Sequence, residues 1–299
     1  MSSSESLVCS LLRSSGGKKI EIIHQSRNKA LAAAVLGIPR GSLSYKLRQP
    51  TKDELLAGQI HQVHLIHPSY GHRRVALHLK INHKRAARVM SMYGIHPPRG
   101  RRWSRGITQS TPTSYVNLIK EITPAYPSHI WTGDITEIVY RGKKLYLIEL
   151  QDRYTREIVG VSVGHHHDSL LVSRALHMAL DNGHVPPHYL HTDKGSENTS
   201  DYLVSELTTR GIQLSVSDTA SPWQNPAESW HSRLKGEFGD PSRFETQGEL
   251  IAELYAYVRY YNTLRIHTVI KMTPHQFRAK YLSQHTREQR PDEMKDKVH

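Results

Sequence analysis

Three acidic residues stand where an acid is costly unless something compensates it: Asp134, Asp193 and Glu228. Asp134 falls midway along HIWTGDITEIVY (129–140), a strand-like stretch between Trp131 and Ile138. A carboxylate in such a strand is expensive unless it is paired or bound to a metal. Asp193 ends the short run HYLHTD (188–193) and opens into Lys194-Gly195-Ser196. Strand ends leading into loops are usual places for catalytic groups, and a glycine lets backbone approach a phosphate closely. Glu228 falls in the first turn of a helix read over PAESWHSRLKGEF (226–238), with Asn225 suited to the N-cap and Pro226 to the first helical position. An acid there also helps any helix start.

What three such acids could do is metal-dependent phosphoryl transfer on nucleic acid. That chemistry needs a pair of divalent ions about 3.5–4 Å apart more than it needs a side-chain nucleophile. Mg²⁺ prefers oxygen ligands, so rigid elements must deliver a few carboxylates to one point. Lys235, seven residues after Glu228, falls on the same helix face two turns along, from where its ammonium reaches a phosphate under transfer. Asp152 is the rival acid, read as structural at the end of the second strand. His191 shares a strand face with Asp193 and either touches substrate or packs. His165, His166 and His167 follow a strand and mark a polar turn. No motif supports a Ser-His-Asp hydrolase.

The elements that must position these acids follow in order. Strands are expected over 129–140, 144–154 and 157–165, the first two joined by a short turn at Arg141–Lys143. A helix over 169–183 ends at Gly183, then come a strand (188–193), a helix (200–211), a strand (212–217) and helices over 226–238 and 248–264. An antiparallel meander followed by parallel crossovers is the order of an α/β, RNase H-like mixed sheet flanked by helices. Residues 128–285 are expected to form this domain and 286–299 a frayed tail.

Charge divides the chain in two. Residues 1–120 hold 20 Lys+Arg against 4 Asp+Glu, whereas residues 121–299 hold 20 against 23, so the whole excess of the net +13 lies in the first part. A basic module beside a mildly acidic one suggests phosphate binding. Residues 1–27 read as a flexible arm. Residues 28–105 read as a helical, helix-turn-helix-like DNA-binding region, beginning with two helices around Gly37 whose apolar face is Leu31, Val35, Ile38 and Leu43. A helix capped by Asn82 sets Lys84, Arg85 and Arg88 over a buried side of Ala86, Val89 and Met90, which suits a helix laid on DNA or one simply facing solvent. RGRRWSR (99–105) adds Arg101 and Arg102 around Trp103, able to follow a groove or stack on a base. The Ser/Thr/Pro-rich residues 106–127 form a linker. No apolar run nears the ~20 residues of a membrane span, Met1–Ser10 lacks the plan of a secretory signal, and Cys9 is the single cysteine. A cytoplasmic, DNA-associated protein is expected, with no intrachain disulfide.

WTGDIT, HTDKGSEN and NPAESWHSRLK together resemble the DDE transposases and retroviral-type integrases, and most closely the OrfB-type transposases of the insertion-sequence-three family. YGHRRVALHLK and NHKRAARVMSMYGI resemble the helical DNA-binding segment that precedes their core. The likeness spans about residues 30–280. It implies a catalytic and metal-binding triad of Asp134, Asp193 and Glu228, assisted by Lys235, with two Mg²⁺ or Mn²⁺ ions. It implies donor-end cleavage and strand transfer at the ends of a bacterial insertion sequence. Lys194 and Lys235 join Lys84, Arg85, Arg88, Arg101 and Arg102 as expected DNA contacts. Implied partners are double-stranded DNA (terminal repeats and target), further copies of the chain on DNA, and an upstream DNA-binding fusion partner. A His/Cys zinc site like that of retroviral integrases is excluded by the lone cysteine. The 34 residues between Asp193 and Glu228 are one fewer than the family pattern, and SPWQNP replaces its Gly-rich loop. A one-residue deletion in a loop costs little. The alternatives are a DNA-binding regulator with an inactive core, and a plain RNase H-like nuclease.

Overall fold

The turn Arg141-Gly142 sets the sheet in motion: both residues have positive φ (47° and 79°), the pair of left-handed conformations that a two-residue hairpin loop needs. It joins β1 (Ile130–Tyr140) to β2 (Lys143–Asp152) in an antiparallel pair closed by Tyr140 opposite Lys143. The computed structural model describes residues 16–39, 48–98, 114–217 and 227–288. β3 (Ile158–Gly164) adds to β2, while β4 (Tyr189–Thr192) and β5 (Gln213–Val216) run parallel to β1 on its other side, giving the order β3-β2-β1-β4-β5. This is the mixed, RNase H-like sheet that the residue pattern predicts.

The chain contains two compact units, residues 1–58 and 59–299. In the first, α1 (Gly16–Gln25) and α2 (Lys29–Val35) pack through Ile23, Ala33 and Leu36. Residues 16–25, expected as part of an arm, are therefore helical because Ile22 and Ile23 have an apolar partner. Leu31 and Val35, expected on the buried face, are exposed; the short helix turns Ala33 inward instead. Leu43 lies outside the described residues. Helix α3 (Arg48–Ile66) crosses the boundary between the units.

In the second unit, α4 (His72–Leu79) and α5 (His83–Met92) bury Val75, Ala76, Ala86, Val89 and Met90, and Asn82 Oδ1 caps α5 by accepting from Lys84 N–H at 2.8 Å. The sheet is covered on both faces. α6 (Ser169–Asp181) and α7 (Asp201–Thr209) lie over Trp131, Ile148 and Leu150. The opposite face, with Ile138, Tyr140, Leu145 and Leu147, is covered by α8 (Ala227–Phe238) and α9 (Gln247–Thr263) through Trp230, Leu234, Phe238 and Tyr257. A last helix, α10 (Pro274–Glu288), has no counterpart in the sequence reading; it is polar, and Phe277 and Tyr281 meet Tyr154. The described part of the expected linker is also ordered against the sheet. Val216 N–H donates to Val116 C=O and Leu118 N–H to Ser215 Oγ, so this segment supplies partners that edge strand β5 would otherwise lack.

Candidate active site

Register brings the acids together. Thr132 pairs with His191 in the parallel β1/β4 ladder; two residues further along β1 comes Asp134, and just past the end of β4 comes Asp193, near enough for the charge of Asp134 to act on it. On the other side Asp134 pairs directly with Glu149 of β2. Because paired residues share a face, Glu149, Asp134 and Asp193 form a row of three carboxylates across the sheet, under α8.

Each aspartate is held by one oxygen. His231, on α8, donates from Nδ1 to Asp134 Oδ2 at 3.1 Å and from Nε2 to Glu149 Oε2. Asn198 Nδ2 donates to Asp193 Oδ1 at 2.6 Å, supported by Gly195 N–H at 3.3 Å. Burial raises the Asp193 carboxyl to about 6, the charges of Asp134 and Glu197 adding to it while Gly195 and Asn198 oppose. Burial likewise raises Glu149 to about 7, opposed by His231. On His231 burial acts downward, but the charge of Glu149 and the hydrogen bonds to Asp134 and Glu149 outweigh it and lift the imidazole to about 10, so it carries its proton at neutral pH. The row thus contains more negative charge than one imidazolium balances. A pair of neighbouring aspartates, one resisting ionisation, is a fitting environment for a divalent cation. Among the described residues no three His, Cys, Asp or Glu side chains form a metal-binding cluster. The side chain of Glu228 is outside the described residues; its backbone is in the first turn of α8, one turn before His231 on the same face.

Two family models, each described as an integrase core domain, match the chain, one over residues 124–222 and the other over residues 228–282. The transposase of insertion sequence element IS904 from Lactococcus lactis is 33% identical over 237 residues, covering 74% of this chain and 92% of that protein. The chain belongs to the integrase-core family. Its relatives include an uncharacterized 31 kDa protein of insertion element IS600 from Shigella sonnei, 30% identical over 83% of this chain and 97% of that one. Among solved structures it is similar to the HTLV-2 integrase catalytic core domain in complex with magnesium, with 20% identity, coverage of 52% and 99%, and a TM-score of 0.41. This integrase-core chain is thus related to proteins of bacterial insertion sequences, a transposase among them.

The other expected site residues are dispersed. Lys194 lies in the loop after Asp193 and Lys235 on α8, both half-buried and engaged with neighbours. On α5, Lys84 and Arg88 are exposed, and Arg85 is half-buried with its Nε unpartnered among the described residues. Arg101 and Arg102 lie outside the described residues. Asp152 is a turn acid: its Oδ1 accepts from Tyr154 and Thr155 N–H and its Oδ2 from Ser128 N–H. His191 is buried and bonds Ser215 Oγ through Nδ1 at 2.9 Å. His165–His167 are exposed at a bend.

Three site residues escaped the sequence reading: Glu149, His231 and Asn198. Glu149 sat in plain view as an acid inside LYLIEL, the same signal that singled out Asp134. His231, one turn after Glu228, and Asn198, inside HTDKGSEN, gave no signal apart from their neighbours.

The YGHRRV motif also has a role in the core. Glu237 of α8 accepts from Arg265 Nε and Nη2 (2.8 and 2.6 Å), from Arg74 Nη1 (3.1 Å) and from Tyr257 Oη (3.0 Å). Tyr70 Oη accepts from Ile266 N–H at 2.6 Å, and His67 bonds Tyr260 Oη at 2.9 Å. Burial pushes Glu237 up, but the hydrogen bonds and charge of Arg265, then Arg74, hold it below its usual value.

Proposed function

We propose that this chain is a DNA transposase, a DDE-type polynucleotidyl transferase that cleaves and joins DNA at the ends of an insertion sequence. The observation that carries this reading is the proximity of Asp134, on β1, to Asp193, just past the end of β4, in an integrase-core sheet. Asp134, Asp193 and Glu228 would hold two Mg²⁺ or Mn²⁺ ions, the two aspartates through the oxygens that His231 and Asn198 leave unengaged. When bound, such ions activate the attacking oxygen and stabilise the leaving one. The chain's own contribution is placement. The sheet fixes the two aspartates, Glu228 would join them from the first turn of α8, and Lys235 further along α8 would contact the phosphate being transferred.

DNA, as terminal repeats and target, is the partner. Lys84, Arg85 and Arg88 contact its backbone from α5, joined by Arg101, Arg102 and Lys194. The functional division is a helical DNA-binding region (28–105), a linker (106–127) and a catalytic domain (128–285). Because both ends of an element must be held for joining, the active species is a homo-oligomer on DNA, with an upstream DNA-binding protein as a further partner. The relative named as an IS904 transposase, aligned over most of both chains, supports this reading.

The test is strand transfer of pre-cut, labelled terminal-repeat duplexes in Mg²⁺ or Mn²⁺, comparing the parent chain with Asp193→Asn. The parent should join the pre-cut ends to target DNA; the variant should bind DNA within about twofold of the parent and join none. Hydrolysis without joining would indicate a plain nuclease, binding without either reaction a regulator, and either result would overturn the proposal.

A further inference from the structure

The row of acids contains one member that the metal reading does not use. Glu149 is fully buried, lies opposite Asp134 in the β1/β2 register, and among the described residues is hydrogen-bonded by a single side chain, His231. Its Oε1 is buried with no hydrogen-bond partner among the described residues. A buried carboxylate with one partner is expensive to keep. An apolar residue would fill that place in the strand more stably, so its presence calls for a role.

Geometry supplies one. His231 spans Glu149 and Asp134, so the imidazole is held at both nitrogens and cannot swing about its side-chain bonds. It therefore acts on two things at once. It fixes the Asp134 carboxylate by Oδ2. It also pins α8 to β1 and β2 one turn after residue 228, on the same helix face.

Resting on the proposed metal-dependent reaction, we propose that Glu149 and His231 are positioning residues: a carboxylate–imidazole strut that orients Asp134 and the start of α8 for binding the divalent cation. Neither residue touches the cation or the DNA. Partners that orient metal ligands in this way typically change metal affinity by about 10–100-fold when removed. Asn198 is the corresponding side-chain donor on Asp193, but it hangs from the same loop as its acceptor and, through this bond, ties no second element to the site.

The test uses the full chain and Mn²⁺ as the probe. Mn²⁺ affinity is measured by calorimetry or water-proton relaxation, beside thermal melting of the metal-free protein and the Mn²⁺ dependence of strand transfer. In Glu149→Leu/His231→Phe both buried charges are replaced by apolar groups, an exchange that proteins often tolerate in stability. The expected result is a melting temperature close to the parent's, Mn²⁺ affinity lowered at least tenfold, and a half-saturating Mn²⁺ concentration for strand transfer raised in proportion. Glu149→Gln, which keeps an acceptor for Nε2, should recover most of that affinity. A folded double variant binding Mn²⁺ within twofold of the parent overturns the strut. If the double variant fails to fold, His231→Asn decides: it keeps a short donor toward Asp134 but cannot reach Glu149, and Mn²⁺ affinity within twofold of the parent again overturns the proposal. Asp193→Asn separates the two levels of the argument. If it too leaves Mn²⁺ binding unchanged, the metal site itself has been misplaced; if it abolishes binding while the strut variants do not, only the strut is wrong.

Discussion

Replacing Arg265 by Met should be among the more damaging single changes outside the acidic row, and its size can be worked from the Glu237 cluster. Arg265 is 3% exposed and Glu237 9%, and the guanidinium engages both carboxylate oxygens. Removing one partner of a buried, bidentate pair leaves an under-compensated charge, at a cost of about 3–5 kcal/mol. Arg74 touches one oxygen at 3.1 Å and is 20% exposed, so Arg74→Met should cost only about 1 kcal/mol. For a folding unit of this size each kcal/mol moves the melting temperature by about 2–4 °C, which predicts a fall of roughly 6–20 °C for Arg265→Met and about 2–4 °C for Arg74→Met. Urea denaturation followed by circular dichroism gives the free energies directly, provided both transitions are two-state. The pH dependence has a definite sign. Glu237 is held below its ordinary value of 4.5, so its contribution is complete above that pH and fades as pH falls toward the lower folded-state value. The gap between parent and Arg265→Met should therefore narrow below about pH 4. An Arg265→Met variant no less stable than Arg74→Met, or a gap that is still full-sized at pH 3, would refute the reasoning.

Two further outcomes are expected. Gly160→Ala should cost more than about 3 kcal/mol or prevent soluble expression, because a Cβ there lies 2.1 Å from the Ala175 carbonyl oxygen, which is backbone and cannot swing aside. Gly133→Ala meets only the tip of Leu150 at 2.9 Å and should be milder; thermal melts that reverse this order would show that α6 does not sit as described. Neutralising Lys84, Arg85 and Arg88 together should reduce the slope of log affinity against log salt by up to about 3 for duplex DNA. An unchanged slope in a titration between low and physiological salt would place the phosphate contacts elsewhere.

The sheet was legible because its strands carry period-two or continuous apolar patterns bounded by turns, and Asp134 and Asp193 because acids at those positions conflict with their surroundings. Glu149 carries the same conflict, yet what resolves it is His231, far away in the chain; side chains meeting across a fold leave no local trace. The face of α2 was misread for a different reason. In KALAAAV the alanines offer little to distinguish inside from outside, so the burial of Ala33 and Leu36 depends on where Ile23 arrives. α10 was missed because PHQFRAKYLSQHTRE has almost no apolar period; it is held by a few aromatic contacts with Tyr154.

The Glu237 cluster bears on how such a protein can be cut or rebuilt. Composition invites a scissor at residue 128, but Arg74, Tyr70 and His67 reach past that seam to Glu237, Ile266 and Tyr260. A fragment trimmed to the sheet and its helices would bare a buried carboxylate and the rings stacked around it; the compact unit that contains both sides of these bonds begins at residue 59. Shuffling of whole modules between relatives would be blocked for the same reason. The exposed residues of α5, proposed above as DNA contacts, take no part in these bonds and are free to vary independently of them.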